Sequence, residues 1–252
     1  MKFDKIGIEF ECGFDNVRTL VIRNELSEYA TNVRFDGDGS VHVGCPEDVI
    51  VEGGWLKSAE ITMLTTPRNV YKCIEILHRH CYQNFSCGNH LHLSFDRTGD
   101  FVSMMSYKEI FNGFIEEYKN KWGKFPKYMA RETNDYCKFL MTEEIMSHQL
   151  SADYKGTRER YRAINLNPYN EIGTMEIRAL PYMDDAVEHN EAIRWVLRTL
   201  VKLFSTELTR RKVIRVRKFD ETPKKLNHQS DVFDVKVKTI KENGGEICVL
   251  RQ

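Results

Sequence analysis

Four segments of the chain alternate between apolar and polar residues, the pattern of β-strands that bury one face. They cover residues 5–12, 59–64, 90–95 and 174–180, and the apolar positions are mostly Ile, Leu, Met or Phe. The other face of each segment carries ionisable side chains: Glu9 and Glu11, Glu60, His90 and His92, and Glu176. The pattern therefore predicts a sheet with an apolar face toward a core and a polar, titratable face.

Helical periodicity separates these strands. Thr66 and Pro67 fit the N-cap and the first position of a helix that runs to about residue 81. Further helices are predicted near residues 134–150 and over about 185–208, and Asp36–Ser40 reads as a turn. We therefore expect an α+β fold with a main domain over residues 1–209 and a basic C-terminal β-hairpin extension over 210–252.

Composition narrows the function classes. The chain has 252 residues, 41% of them hydrophobic, and a formal net charge of zero, so the molecule as a whole is not an obvious nucleic-acid binder. Basic residues are concentrated at 210–218, where a solvated segment is the favoured interpretation and nucleic-acid contact the alternative. Seven cysteines without a CxxC pair indicate buried thiols in a cytoplasmic protein. The sequence contains no run of about 18 apolar residues, so no membrane span is expected.

Glutamate is depleted in β-strands, so its recurrence on these polar faces calls for a reason. Carboxylates that line one cleft repel each other unless cations neutralise them. Mg²⁺ binds carboxylate oxygens and bridges phosphates, and imidazoles shift the preference toward Mn²⁺ or Zn²⁺. A half-solvated sheet explains the alternation equally well. The pattern alone leaves both interpretations open, because it shows which residues share a face and not how far apart they lie.

Six motifs occur in order along the chain. They are Gly7-x-Glu9-x-Glu11, Asp38-Gly39-Ser40, Glu60-x-Thr62 followed by Pro67, Gly88-x-His90-x-His92, Arg160-Tyr161-Arg162-Ala163-x-Asn165 and Glu176-x-Arg178. Together they resemble the amidoligase family, which belongs to the glutamine synthetase-like carboxylate–amine ligases. The resemblance covers about residues 5 to 205. It implies a curved antiparallel sheet that lines a polar cleft, with helices packed on the outer face.

The resemblance also implies a reaction. ATP phosphorylates a substrate carboxylate to an acyl phosphate, and an amine attacks it to form an amide or isopeptide bond. The carboxylate and the amine belong to small molecules or peptides. Mg²⁺ is the expected ion, with Mn²⁺ as the alternative. The implied metal ligands are four glutamates, Glu9, Glu11, Glu60 and Glu176, together with His90 and His92. One of the two imidazoles is a ligand, and the other is either a second ligand or a hydrogen-bonded neighbour.

The remaining motif residues have implied roles around the substrates. Arg178 and one of Arg162 and Arg160 are expected to act on the phosphates, because the planar guanidinium fits phosphate oxygens. Asn165 is expected near the nucleotide or as a loop-orienting residue. Asp38, Ser40 and Thr62 are assigned to the substrate, although Asp38 and Ser40 also suit a plain turn.

Three other functions stay open. A phosphotransferase on the same fold would stop at the phosphorylated product. A metal-dependent hydrolase would use His90, His92 and the glutamates without ATP, although zinc sites seldom contain four glutamates. A binding scaffold with a degenerate site is the third, and the presence of every charged motif position in this chain weighs against it.

Overall fold

The computed structural model describes residues 3–44, 56–95, 108–150, 160–220, 237–242 and 245–250. Its main sheet has seven strands in this part of the chain. They are β1 (Phe3–Phe14), β2 (Ala30–Gly37), β3 (Lys57–Thr65), β4 (Cys81–Tyr82), β5 (Gly88–Phe95), β6 (Ile164–Asn165) and β7 (Thr174–Pro181). The order is β2-β3-β1-β5-β7-β6, with β4 paired to the end of β1, and every pairing is antiparallel.

Seven α-helices are described beside this sheet. They are α1 (Thr19–Leu26), α2 (Val70–His80), α3 (Lys108–Trp122), α4 (Pro126–Glu132), α5 (Glu143–Leu150), α6 (Asn167–Ile172) and α7 (Ala186–Asp220). The protein is thus a mixed α/β structure with an open antiparallel sheet, which is the coarse form of the predicted fold. None of the helices in the described ranges combines the length and apolar character needed to cross a bilayer.

The core lies on the apolar face of the sheet. Ile6, Ile8 and Phe10 of β1 are buried there, in one cluster with apolar residues of the helices. The ring of Phe10 contacts His78 of α2 and His189 of α7, so these helices cover the central strand. Because alternate strand residues point to opposite sides, burying this face directs the glutamates and histidines to the other side.

Three predicted helices have different bounds in the structure, and the helix expected over about 185–208 extends to Asp220 as α7. The helix expected from Pro67 begins at Val70, because Thr66 and Pro67 belong to a turn in which the Thr66 carbonyl accepts from the N–H groups of Asn69 and Val70. The helix expected near 134–150 is wrong over its first half, since residues 133–142 separate α4 from α5. There the Asn134 side chain accepts from the Tyr136 N–H, which favours a turn over a helix.

The chain divides into two compact units, residues 1–212 and 213–252. The second contains an antiparallel hairpin of β8 (Val237–Glu242) and β9 (Gly245–Leu250). The predicted boundary at residue 209 falls inside α7. Side chains of the basic segment 210–218 lie outside the described residues, so neither the favoured solvated segment nor the alternative of nucleic-acid contact is tested there.

Five cysteines are described with free thiols, and all five are buried: Cys12, Cys73, Cys81, Cys87 and Cys137. This agrees with the expectation of buried thiols for these positions. Cys45 and Cys248 lie outside the residues whose side chains are described.

Candidate functional site

The register of the sheet places the titratable residues of different strands side by side. Glu11 lies opposite Glu60 of β3, and Glu9 lies opposite His90 of β5. His92 is opposite Glu176 of β7, which in turn is opposite Asn165 of β6. Residues directly opposite each other have side chains about 5 Å apart. The residues predicted from separate motifs therefore form one continuous polar patch.

Gly7 makes room for this patch at its centre. It lies opposite His92, and a Cβ atom at position 7 would approach Cβ of His92 to 2.8 Å. That distance is shorter than any ordinary carbon contact, and the atom it meets is close to the backbone and cannot swing away. The glycine of the first motif thus lets His92 lie flat over β1.

The two imidazoles of β5 lie between carboxylates of two other strands, β1 and β7. Nδ1 of His90 donates to Glu9 at 2.8 Å and lies 3.4 Å from Glu176, while Nε2 lies 3.7 Å from Glu11. Nε2 of His92 donates to the other oxygen of Glu9 at 2.7 Å. His90 is only 2% exposed, so it sits beneath the carboxylates and not in solvent. Each histidine therefore has a ring nitrogen at a position where a cation would meet several carboxylates.

Three groups of side chains have ligand atoms close enough to hold a metal ion, all within 4.8 Å of one another. They are Glu9 with Glu60 and His90, Glu9 with His92 and Glu176, and Glu11 with Asp38 and Glu60. Because Glu9 and Glu60 each belong to two groups, neighbouring ions could share a carboxylate. Carboxylate oxygens suit Mg²⁺ and Mn²⁺, and the imidazole in two of the three groups favours Mn²⁺ over Mg²⁺, so the donor set is compatible with the predicted ions.

The pKa values of two carboxyl groups in the patch are shifted in opposite directions. Burial, and then repulsion from Glu9, Glu11, Asp38 and Glu176, raises the pKa of Glu60 to about 8. The pKa of Glu9 falls well below its usual range, since hydrogen bonds from His90 and His92 outweigh the cost of its burial. One carboxyl is therefore held neutral near pH 7 beside another that is firmly ionised. A bound cation would offset the burial and the repulsion that together keep Glu60 protonated.

An arginine lies at the β7 end of the patch. Arg178 donates to the Glu176 carboxylate, and its Nε donates to the Tyr136 carbonyl at 3.3 Å. The second oxygen of Glu176 accepts from Asn165 Nδ2 at 2.6 Å. The pKa of Arg178 is raised: burial opposes its charge, but the Glu176 carboxylate outweighs that effect. Asn165 thus orients Glu176, and Glu176 orients the guanidinium.

A second arginine borders the same space. Arg160 donates to the Tyr161 hydroxyl at 2.6 Å, and its guanidinium carbon lies 4.7 Å from the Tyr161 ring centre. The Arg178 guanidinium carbon is 5.9 Å from that ring. Cation–π contacts of this kind hold guanidinium groups in place without neutralising them. Tyr161 thus lies between two cations that face one pocket.

All these groups line a single pocket of about 1120 Å³. Among the predicted residues, the lining includes Glu9, Glu11, Asp38, Ser40, Glu60, His90, His92, Arg160, Asn165, Glu176 and Arg178. Thr62 and Arg162 are not among the described residues that line it. Thr62 lies opposite Glu9 in the sheet. The backbone of Arg162 forms an isolated parallel β-bridge with that of Lys138, and the Arg162 guanidinium donates to the Leu140 carbonyl at 3.4 Å. Their assigned roles therefore have less geometric support.

Asp38 has two contacts that the turn pattern does not distinguish. Its carboxylate accepts from the N–H and the hydroxyl of Ser40, which is the predicted turn. It also belongs to a group with Glu11 and Glu60, so it is a candidate metal ligand as well as a turn former. The sequence pattern could not predict Asp38 as a metal ligand, because Asp38 lies outside any strand and face alternation applies only within strands.

Several pocket residues were not predicted from the sequence, and two of them are Phe85 and Arg131. Phe85 lines the pocket from the loop before β5, and its side chain is 85% exposed. The Asn84 side chain in the same loop accepts hydrogen bonds from the N–H and the hydroxyl of Ser86. Arg131 lines the pocket from α4 and is buried. A short helix with one inward arginine has no periodicity that would have revealed it.

Comparison with models of protein families finds no family that matches the chain. A search of curated proteins likewise finds no match.

Proposed function

We propose that this chain is an ATP- and Mg²⁺-dependent carboxylate–amine ligase on a glutamine synthetase-like sheet. The observation that supports it best is the set of three overlapping metal-ligand groups, which share Glu9 and Glu60, in one pocket with Arg160 and Arg178. Transfer of a phosphoryl group to a carboxylate brings two anions together. A site for it needs adjacent cations more than it needs a nucleophile of its own.

Bound Mg²⁺ ions would supply Lewis-acid charge on the phosphate oxygens and screen the substrate carboxylate. Glu9, with its low pKa, would anchor two of the ions, and Glu60 would give up its proton on binding. Mn²⁺ could take the same places, since His90 and His92 are present.

Around these ions the arginines would orient the transferred group. Arg178 is fixed by Glu176 and by the Tyr136 carbonyl, so its remaining N–H groups can meet phosphate oxygens without a cost for ordering the side chain. Arg160 is held on Tyr161 and provides a second positive charge. The carboxylate and amine would come from small molecules or peptides. Buried free thiols and the need for ATP favour a cytoplasmic setting.

The test is ADP release from ATP and Mg²⁺, screened over mixtures of amino acids, dicarboxylates and polyamines, with the product identified by mass spectrometry. ADP release should require both a carboxylate and an amine, and the product should contain a new amide bond. ADP release without an amine would indicate the phosphotransferase instead. Hydrolysis of a substrate without ATP would indicate the metal-dependent hydrolase.

Variants connect the activity to the pocket. Glu11→Ala and Glu176→Ala should each lower ADP release by roughly a hundredfold or more, because each removes a ligand from the patch. Glu75→Ala is the matched control, since Glu75 is on α2 and pairs with Lys72 on the surface. Turnover of both pocket variants at the wild-type rate would remove their carboxylates from the proposed mechanism.

A further inference from the structure

Arg131 is a buried cation without a carboxylate partner among the described residues. Its side chain is 8% exposed, yet it lines the pocket. Nη2 donates to the Arg178 carbonyl at 2.8 Å, and Nε has no hydrogen-bond partner in this part of the chain. By comparison, Arg178 in the same pocket has the Glu176 carboxylate. Among the described residues, no carboxylate therefore forms an ion pair with Arg131.

A buried charge is costly unless an opposite charge and hydrogen bonds compensate it. Bonds to the Arg178 carbonyl and to the Cys137 sulfur leave most of the five N–H donors of a guanidinium available. If the only role of Arg131 were to support the Arg178 carbonyl, a neutral donor would do so at lower cost. The retained charge at a pocket wall is better explained by an anionic ligand.

The surroundings leave space for this guanidinium at the start of β5. A Cβ atom at position 88 would lie 2.8 Å from Nη2 and 3.2 Å from Nη1 of Arg131. Gly88 therefore lets the two terminal nitrogens lie against the strand. The N–H of Gly88 donates to Glu11, so the same residue also contacts the acidic patch.

We propose that Arg131 is an oxyanion-binding residue of the pocket and contacts the ligand through its planar pair of terminal N–H groups. Guanidinium groups recognise carboxylate and phosphate oxygens by the same paired hydrogen bonds. The anion is either a phosphate group or a substrate carboxylate. The inference rests on the proposed function only for the identity of this anion, since oxyanion binding can be measured without turnover.

The experiment is calorimetric titration of the full chain with inorganic phosphate and, separately, with glutarate, in Mg²⁺ buffer at constant ionic strength. At least one of the two anions should bind the wild type, and which one binds identifies the source of the oxyanion. Arg131→Met should weaken that binding at least tenfold. Arg131→Lys, which keeps the charge and loses the fork, should be intermediate. Lys127→Gln on the same helix is the control, because Lys127 pairs with Asp184 and Glu188.

Gly88→Ala provides an independent perturbation, because it displaces the Arg131 nitrogens and leaves the arginine in place. Gly88→Ala should weaken binding of the same anion about as much as Arg131→Lys does, and its circular dichroism spectrum should be like that of the wild type. If neither anion binds the wild type, or if Arg131→Met and Gly88→Ala bind it as the wild type does, the proposal is overturned. Oxyanion binding through Arg131 in a protein that releases no ADP would keep this inference and remove the ligase.

Discussion

Glu60 should release a proton when a divalent ion binds, and the amount can be worked out. Its pKa of about 8 means that roughly 90% of Glu60 is protonated at pH 7 in the ion-free protein. A carboxyl must lose its proton to become a metal ligand. Binding at pH 7 should therefore release about 0.9 proton from this side chain, while an ordinary glutamate would release almost none.

The sign of the pH dependence follows from the same pKa. Because the raised pKa favours the neutral form, ion affinity should rise with pH and level off above about pH 8. Competition with the Glu60 proton alone should make the apparent Kd about fiftyfold weaker at pH 6 than at pH 8. His92 contributes in the same direction, since its pKa is also raised: burial lowers it, but the bond to Glu9 and the neighbouring carboxylates outweigh burial.

Calorimetry separates the two contributions. Mn²⁺ is titrated in buffers of different ionisation enthalpy, which reports the protons released per ion, for the wild type and Glu60→Gln. At pH 7 the variant should release fewer protons by about 0.9, and at pH 9 the difference should shrink to about 0.1. Equal proton release by both proteins at pH 7 would refute the protonated Glu60.

Three further predictions concern other parts of the structure. Gly7→Ala should push His92 off β1 and weaken Mn²⁺ binding by roughly tenfold or more, measured by calorimetry; unchanged affinity would contradict the close approach. Arg178→Lys should lower turnover by roughly tenfold with little change in melting temperature, because the fixed guanidinium fork is lost; a normal rate would exclude that role. Burial lowers the pKa of His78 to about 4 and that of His189 well below its usual range, so both histidines stay neutral when folded and the unfolded chain binds the protons first. The two histidines therefore cost no stability above about pH 6.5. As the pH falls to 5, the His78 titration alone should lower the free energy of unfolding by roughly 2 kcal/mol. Urea unfolding of the wild type and His78→Gln checks this, since the variant should lose less over the same range.

The polar patch could be predicted from the sequence because it is built on strands. Alternation fixes which face a residue takes, so Glu9, Glu60 and His90 could be assigned to one side without knowing the sheet order. Their proximity could not be derived, since it depends on the register between strands distant in the chain. The pairing of β1 with both β3 and β5 supplies it.

Residues outside the regular elements were harder to predict. Asp38 follows β2 in a turn, where its contact with Ser40 is a sufficient reason for an aspartate, and its nearness to Glu11 and Glu60 comes only from the fold. Arg131 lies on a seven-residue helix that the sequence pattern did not predict. Its importance comes from burial and from a missing partner, which are properties of packing and not of sequence.

The central claim is that carboxylates from separate strands bind divalent ions together. Its most direct test is the number of Mn²⁺ ions bound per chain, measured by electron paramagnetic resonance for the wild type, Glu9→Gln and the surface control Glu75→Gln. The account predicts more than one Mn²⁺ for the wild type and the control, and a clear loss for Glu9→Gln, which contributes to two of the three ligand groups. A wild-type chain that binds no Mn²⁺ at millimolar concentration, or a Glu9→Gln variant that binds as many ions as the wild type, would contradict it.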